Sequence, residues 1–366
     1  MRTTPPIRAD HVGSFLRPAE IRDARRKYAK GELPAAALTE IEDRHIARII
    51  ARQEGIGLRA ATDGEFRRHA WQWDFLAGLA GVETAYGTGA ISDRTATPRL
   101  YLKVRGKLGF AGHPMLEHFA FVKAHTRIVP KMCIPSPTQL VSVLRDWRGV
   151  VDRGIYPELA PLFADLAPAY RAAIHAFAAA GCTYLQIDDC NMSFLCDPKV
   201  QETVRARGDD PARMLRDFAG LLNAALRDRP PGMTILMHTC RGNTPGGFAS
   251  GGYEAVAEIV FGGIDVDGFV LEFDDDRSGG FEPLRFLPKT KLAALGLVST
   301  KNKALESRDM IARRLEAAGK FVDFDRLSLC PQCGFASSEE TDRFNEDEQW
   351  SKLAHLVALA DSLWKT

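Results

Sequence analysis

Short runs of β-type residues alternate along the chain with longer stretches whose apolar positions recur every three to four residues. The short runs are IRADHVGSF, LRAATDGE, RIVPKMCIPS, TYLQIDD, MTILMHT, DGFVLEF, LAALGLVST and RLSLCPQCG. Between them, helical periodicity covers residues 38–56, 157–180, 210–228, 253–262, 305–319 and 346–364. Strands that alternate with helices build a parallel sheet, because parallel neighbours need a crossover and a helix supplies it compactly. Eight such runs predict an α/β protein with a (β/α)8 TIM barrel. Thr39, Asp209 and Asn345 are the expected N-caps, and Gly181 and Gly319 stand where helices end on glycine.

An open, doubly wound sheet is the competing arrangement. It would carry a Gly-rich phosphate turn after an early strand, and GGFASGG at 246–252 has the glycines without that placement, so it reads as a flexible loop. The alternation breaks at residues 78–125, where GVETAYGTGAIS and PRLYLKVRGKLGFAGHP mix glycine turns with the alternating Leu100, Leu102 and Val104. That pattern predicts an inserted β-hairpin within a single catalytic domain spanning 1–366.

Composition narrows the ligand class. The chain has 366 residues, 45% of them hydrophobic, which is enough to bury a large core. Lys and Arg number 48 against 47 Asp and Glu, so there is no electrostatic case for nucleic acid or an anionic membrane as partner, and small molecules become the expected ligands. The apolar runs fall short of the roughly 18 residues of a membrane span, and MRTTPPIRADHVGS lacks the apolar core of a secretory signal. Seven cysteines, an odd number in a long chain, fit a reducing compartment, so a cytoplasmic location is expected.

Functional groups of a barrel collect at the C-terminal ends of its strands. Here those ends read DHVGS, DGEFRR, PSP, DDCN, HTCRGN, EFDDDRSGG, STKN and CPQCGF. His238 and Cys240 are one residue apart, so on a strand they point to the same side and suit Zn2+. Cys333 offers a second thiolate and Glu272 a carboxylate. Such a site activates an external thiol as thiolate, which predicts alkyl transfer to sulfur. The bland alternatives are a His-x-Cys pair that merely packs in the core, and a CPQC at 330–333 that is a redox motif or half a zinc ribbon. No second Cys-x-x-Cys follows it, and Cys330 is expected to be buried on its strand. Asp188 and Asp189 point to opposite faces, so one of them enters the barrel mouth. Asp188 and Glu65 are the candidates to hold the ammonium of an amino-acid thiol, against a reading as solvated acids or helix caps. Arg67, Arg68 and Arg277 read equally as anion clamps or surface charge, and Trp71 and Trp73 as a stacking platform or core.

With ADHVGSFLRP, DGEFRR, LQIDDCN, HTCRGN, LEFDD, LGLVSTKN and CPQCGF in that order, the chain resembles the cobalamin-independent methionine synthase superfamily, in particular short chains similar to its C-terminal catalytic barrel. The resemblance implies Zn2+ at His238, Cys240, Glu272 and Cys333, and a thiol amino acid surrounded by Gly13, Ser14, Glu65 and Asp188. It implies methyl transfer to the sulfur of homocysteine. Full-length members carry an N-terminal half that helps bind polyglutamated folate, which this chain is expected to lack, so the identity of the methyl donor stays open. Where the long synthases have a proton-transferring histidine in Asp-x-His-Ser, this chain reads STKNKALE and places Lys301. An epoxyalkane:coenzyme M transferase of the same superfamily also satisfies the pattern, and ring opening would draw a proton from Lys301 or His11. The expected function is zinc-dependent S-methylation of homocysteine or a related thiol, with a small thiol acceptor and a methyl or alkyl donor as partners. The runner-up is thiol alkylation by an epoxide or other activated alkyl or aryl ether, and the reading from another class is a non-metal decarboxylase or binding barrel. A homo-oligomer is left open.

Overall fold

The computed structural model describes residues 7–87, 99–243, 249–339, 341 and 343–364. The strands are β1 (Ala60–Ala61), β2 (Ala80–Gly87), β3 (Arg99–Gly109), β4 (Val129–Pro135), β5 (Tyr184–Asp189), β6 (Thr234–Thr239), β7 (Gly268–Glu272), β8 (Leu292–Val298) and β9 (Leu327–Pro331). Seven of them form one parallel sheet in the order β1-β4-β5-β6-β7-β8-β9. Its strands are buried almost end to end, as a parallel sheet covered on both faces requires. Ala60 of the first edge strand and Cys330 of the last share one buried cluster with Tyr184, Leu236, Val270 and Ala294. A flat sheet would hold those edges far apart, so the sheet is curled and TIM-barrel-like.

The expected first strand differs. Residues 7–15 form only an isolated parallel bridge, Ala9 to Leu329, with Asp10 N donating to Leu329 O at 2.9 Å and Leu329 N to Arg8 O at 2.8 Å. On the other flank His11 Nε2 lies 3.1 Å from Ala60 O, and Thr62 Oγ1 donates to Gly13 O at 2.7 Å. Polar side chains replace the ladder here: Asp10 Oδ1 takes the His11 N–H at 2.8 Å, and Lys131 Nζ reaches both Asp10 oxygens at 3.1 and 3.0 Å. Lys131 and Asp10 are fully buried, so neither charge can be removed alone without stranding the other.

The helices are α1 (Ala19–Ala29), α2 (Ala35–Gly55), α3 (Trp73–Ala77), α4 (Met115–His125), α5 (Leu159–Ala179), α6 (Asn191–Phe194), α7 (Pro198–Ala206), α8 (Pro211–Leu226), α9 (Arg308–Ala318) and α10 (Glu346–Leu363). Asn345 caps α10 in a reciprocal capping box with Glu348. The cap of α8 is Asp210 rather than Asp209, because Pro211 suits the first helical position and Asp209 is taken by Arg148 at 2.8 Å. Thr39 is no cap: it lies inside α2, which starts after Pro34, and bonds back to Ala35 O. Gly181, at φ +92°, ends α5 with Cys182 N donating to Phe177 O and Gly181 N to Ala178 O. Gly319 closes α9 in ordinary helical geometry. The 253–262 stretch splits into a 3-10 turn and a π-helical turn instead of one α-helix.

In the 78–125 region, β2 pairs antiparallel with β3 from Ala80–Gly109 to Gly87–Arg99, and α4 follows. Residues 88–98, between those strands, and 246–248 of the glycine-rich stretch lie outside the described residues. Among the described residues no helix is long and apolar enough to cross a membrane.

Candidate metal centre

Parity and register assemble the site. On β6, His238 points inward while Thr239 turns to the Tyr253 hydroxyl, 3.1 Å away, and Cys240 just beyond the strand turns inward again. Thr239 pairs with Leu271 of β7, so the next residues, Cys240 and Glu272, come level. Cys333 follows β9 across the barrel mouth. One donor atom from each of His238, Cys240, Glu272 and Cys333 lies within 4.8 Å of all the others, and every one of the four residues is buried. Cys240 Sγ and Cys333 Sγ are 3.5 Å apart.

The surroundings orient these donors. His238 Nδ1 faces Val270 O at 3.2 Å, leaving Nε2 buried on the side of Cys240. Glu272 Oε1 accepts the Arg241 N–H at 2.8 Å. Burial holds the Glu272 carboxyl well above the usual range, with Cys240 adding to the rise and Lys301 opposing it. The neighbouring Cys190, then Cys333, hold Cys240 well below the usual thiol range, against the effect of burial. The Cys333 thiol is pushed up by its contact with Cys240 and by burial.

One imidazole, one carboxylate and two sulfurs are a borderline-soft set. With Zn–S near 2.3 Å, a tetrahedral site separates its two sulfurs by roughly 3.8 Å, close to the spacing seen. A buried Nε2 turned to the other donors, with Nδ1 fixed by a carbonyl, is the state in which a ligating histidine is normally held. The residues present therefore fit a zinc ion.

The cavity that His238, Cys240 and Cys333 line is also lined by Ser14, Glu65, Trp71 and Asp188. Asp188 pairs in register with His238, which sets it beside the donor cluster, while Asp189 turns away to Thr138 and Met192 N. Glu65 stands in a left-handed turn at φ +61° directly after Gly64 at φ +67°. Burial pushes Glu65 up to about 7 against the pull of Arg68, and Asp188 up to about 6 against the pull of His238. Gly13, at φ +114°, lies so close to Cys133 that a Cβ there would meet its Sγ at 2.6 Å.

Two expected participants sit elsewhere. His11 does not line the cavity; its ring packs on Phe15 at 5.3 Å, and burial, then Lys131, lower it to about 4, so it is neutral. Lys301 lies behind Glu272, its Nζ 3.9 Å from Glu272, 2.8 Å from Asp274 and 3.2 Å from Asp275. Arg67 pairs with Asp43 and Glu42, and Arg277 with Asp275. Trp73 packs against the core outside the barrel, and Cys330 is buried in the inner cluster. Two further cysteines join the site that the sequence motifs do not single out: Cys190, packed against Cys240 and Cys333, and Cys133, which clusters with Glu65 and Asp188. Both sit on or beside strands in the runs MCIP and DDCN, so strand parity was the available signal.

A family model described as "Cobalamin-independent synthase, Catalytic domain" matches residues 7–99 and 157–361. The uncharacterized protein YxjH of Bacillus subtilis is 45% identical over 364 residues, covering 98% of this chain and 95% of its own length. A crystal structure of a putative vitamin-B12-independent methionine synthase from Listeria monocytogenes superposes with a TM-score of 0.78 at 36% identity, covering 99% of both chains. The 5-methyltetrahydropteroyltriglutamate–homocysteine methyltransferase of Mycolicibacterium paratuberculosis is 25% identical over 97% of this chain, which spans 43% of that protein's length. Fold and site define a TIM-barrel-like protein with a buried His-Cys-Glu-Cys donor cluster at the C-terminal rim of its strands. The chain belongs to the cobalamin-independent synthase catalytic-domain family, the methionine-synthase-like methyltransferases.

Proposed function

We propose that the chain is a zinc-dependent S-methyltransferase that moves a methyl group from a small donor onto the thiol of homocysteine or a closely related amino-acid thiol. In this reading the chain is a single (β/α)8 catalytic domain in which residues 8–15 complete the ring between β9 and β1, β2 and β3 form an inserted hairpin, and the enzyme works in the cytoplasm.

The observation that carries the reading is that one cavity presents a thiol-activating donor set and, beside it, two carboxylates suited to an ammonium. His238, Cys240, Glu272 and Cys333 would hold zinc, which when bound supplies Lewis acidity that keeps an incoming sulfur deprotonated at neutral pH. Glu65 and Asp188 receive the substrate ammonium, and Ser14 offers its hydroxyl to the carboxylate. Trp71 walls the sulfur end from water. Fixing the acceptor at both ends converts methyl transfer into a positioned encounter, worth several orders of magnitude in rate. Lys301 serves as the counter-charge of Glu272, and His11 takes no part in proton transfer.

The test is to incubate zinc-loaded wild type and Cys240→Ser with homocysteine and a panel of methyl donors, following thiol loss and methionine by mass spectrometry. Methionine from wild type alone is the expected result. Full zinc loading with no S-methylation from any donor would overturn the reading.

A further inference from the structure

Arg68 is 1% exposed and lies under the amine end of the cavity. Its Nη1 is 3.3 Å from Glu65 Oε1 and 3.3 Å from Trp71 O, and its Nη2 donates to Cys133 O at 2.6 Å. One planar guanidinium thus joins the turn that carries Glu65, the backbone of the cavity wall at Trp71, and β4. A lysine, with a single point charge, has no equivalent fork.

This contact decides what Glu65 can offer. Oε1 is occupied by Arg68, and Oε2 is buried with no partner among the described residues. On Asp188, Oδ1 accepts Gln186 Nε2 at 2.6 Å. Glu65 and Asp188 each bring a carboxylate oxygen into one group that lies within 4.8 Å. Two carboxylates that close in a dry site repel and would otherwise share a proton. One arginine paired with Glu65 leaves the two carboxylates with a single net negative charge, the complement of one ammonium. The backbone supports the same placement: Glu65 O accepts Arg68 N at 3.0 Å and Arg17 Nη2 at 2.9 Å, which holds a non-glycine residue at positive φ.

We propose that Arg68 is a positioning residue that counter-charges and turns Glu65 so that its Oε2, with Asp188, receives a primary ammonium, thereby selecting amino-bearing thiols over thiols that lack the amine. The inference rests on the reading that the acceptor thiol occupies this cavity.

The test compares methionine with its des-amino analogue 4-(methylthio)butanoate by calorimetry, and homocysteine with 4-mercaptobutanoate in turnover, for zinc-loaded wild type, Arg68→Lys and Arg68→Met. Wild type should prefer the amino compounds by roughly 10- to 100-fold, the value of hydrogen bonds to a charged group. Arg68→Met should lose most of that preference through KM and binding rather than kcat. The des-amino compounds should change by no more than about twofold, and Arg68→Lys should fall between. A folded, zinc-loaded Arg68→Met or Arg68→Lys that keeps the wild-type preference overturns the proposal, as does a wild type with no preference in calorimetry. Selective binding without turnover would instead overturn the assigned reaction while upholding the role of Arg68.

Discussion

Cys240 Sγ and Cys333 Sγ lie 3.5 Å apart although 93 residues separate them in the chain. Cys330, three residues before Cys333, points instead into the inner cluster with Val12 and Ala294. The two cysteines of CPQC should therefore separate cleanly on mutation. Cys333→Ser is expected to weaken zinc binding by roughly 100-fold or more, read by chelator competition. Cys330→Ser should keep zinc and lose about 1–2 kcal/mol of stability by burying a hydroxyl. The reverse pattern would mean that Cys330 is the ligand.

An ammonium is received by ionised carboxylates, and burial pushes Glu65 up to about 7 and Asp188 up to about 6. KM for the amino thiol should accordingly fall as pH rises from about 5 to 8, with the change centred between those two values. Glu65→Gln should flatten the upper part of the profile. A wild-type KM that is constant over this range contradicts the assignment.

The same shift sets a stability change. The folded chain holds a proton on Glu65 that the unfolded chain, at its ordinary 4.5, has released. The contribution of Glu65 to stability is therefore complete below about 4.5 and lost as pH rises through about 7. Substrate-free Glu65→Gln should be more stable than wild type at pH 8, by at most about 3 kcal/mol, with the gain shrinking at pH 5. Denaturant unfolding at the two pH values measures it.

Much of this was legible beforehand because it depends on local patterns. Seven of the eight β-type runs are strands, each a short apolar run that a doubly covered parallel sheet demands. The first is not, since Arg8, Asp10 and His11 spend their polar groups on side-chain bonds. Strand parity placed His238 beside Cys240, and the convergence of strand ends brought in Glu272 and Cys333. Strand parity also turns Cys133 and Cys190 inward, but which inward residues meet depends on register between strands distant in sequence, and that is not legible. Arg68 in DGEFRR reads equally as an anion clamp or as surface charge; only the left-handed turn at Glu65 swings that carboxylate back onto it. His11 lies in the bridged first segment rather than at a strand end, and its ring reaches Ala60 instead of the cavity.

Gly13→Ala should be costly. The new Cβ would meet Cys133 Sγ at 2.6 Å, on a backbone at φ +114°. A loss of roughly 2–4 kcal/mol is expected from strain and overpacking combined. Adding Cys133→Ala should recover the overpacking part but not the backbone part, a coupling that a double-mutant cycle by thermal or chemical unfolding resolves.

Lys301→Met separates a counter-charge from a proton donor. Lys301 stands among Glu272, Asp274 and Asp275 and does not line the cavity. Its removal should lower zinc affinity by about 10- to 100-fold while leaving turnover at saturating zinc within a fewfold of wild type. Loss of turnover in fully loaded protein would restore a direct part for Lys301 in the chemistry.

The central claim is that the ends of β6, β7 and β9 meet at a metal. Its most direct test is the zinc content of wild type purified without chelator, by elemental analysis, beside Cys240→Ser. About one zinc per chain in wild type, and loss of it in the variant, is the expected result. Zinc absent from both proteins, or retained in full by Cys240→Ser, would contradict the claim.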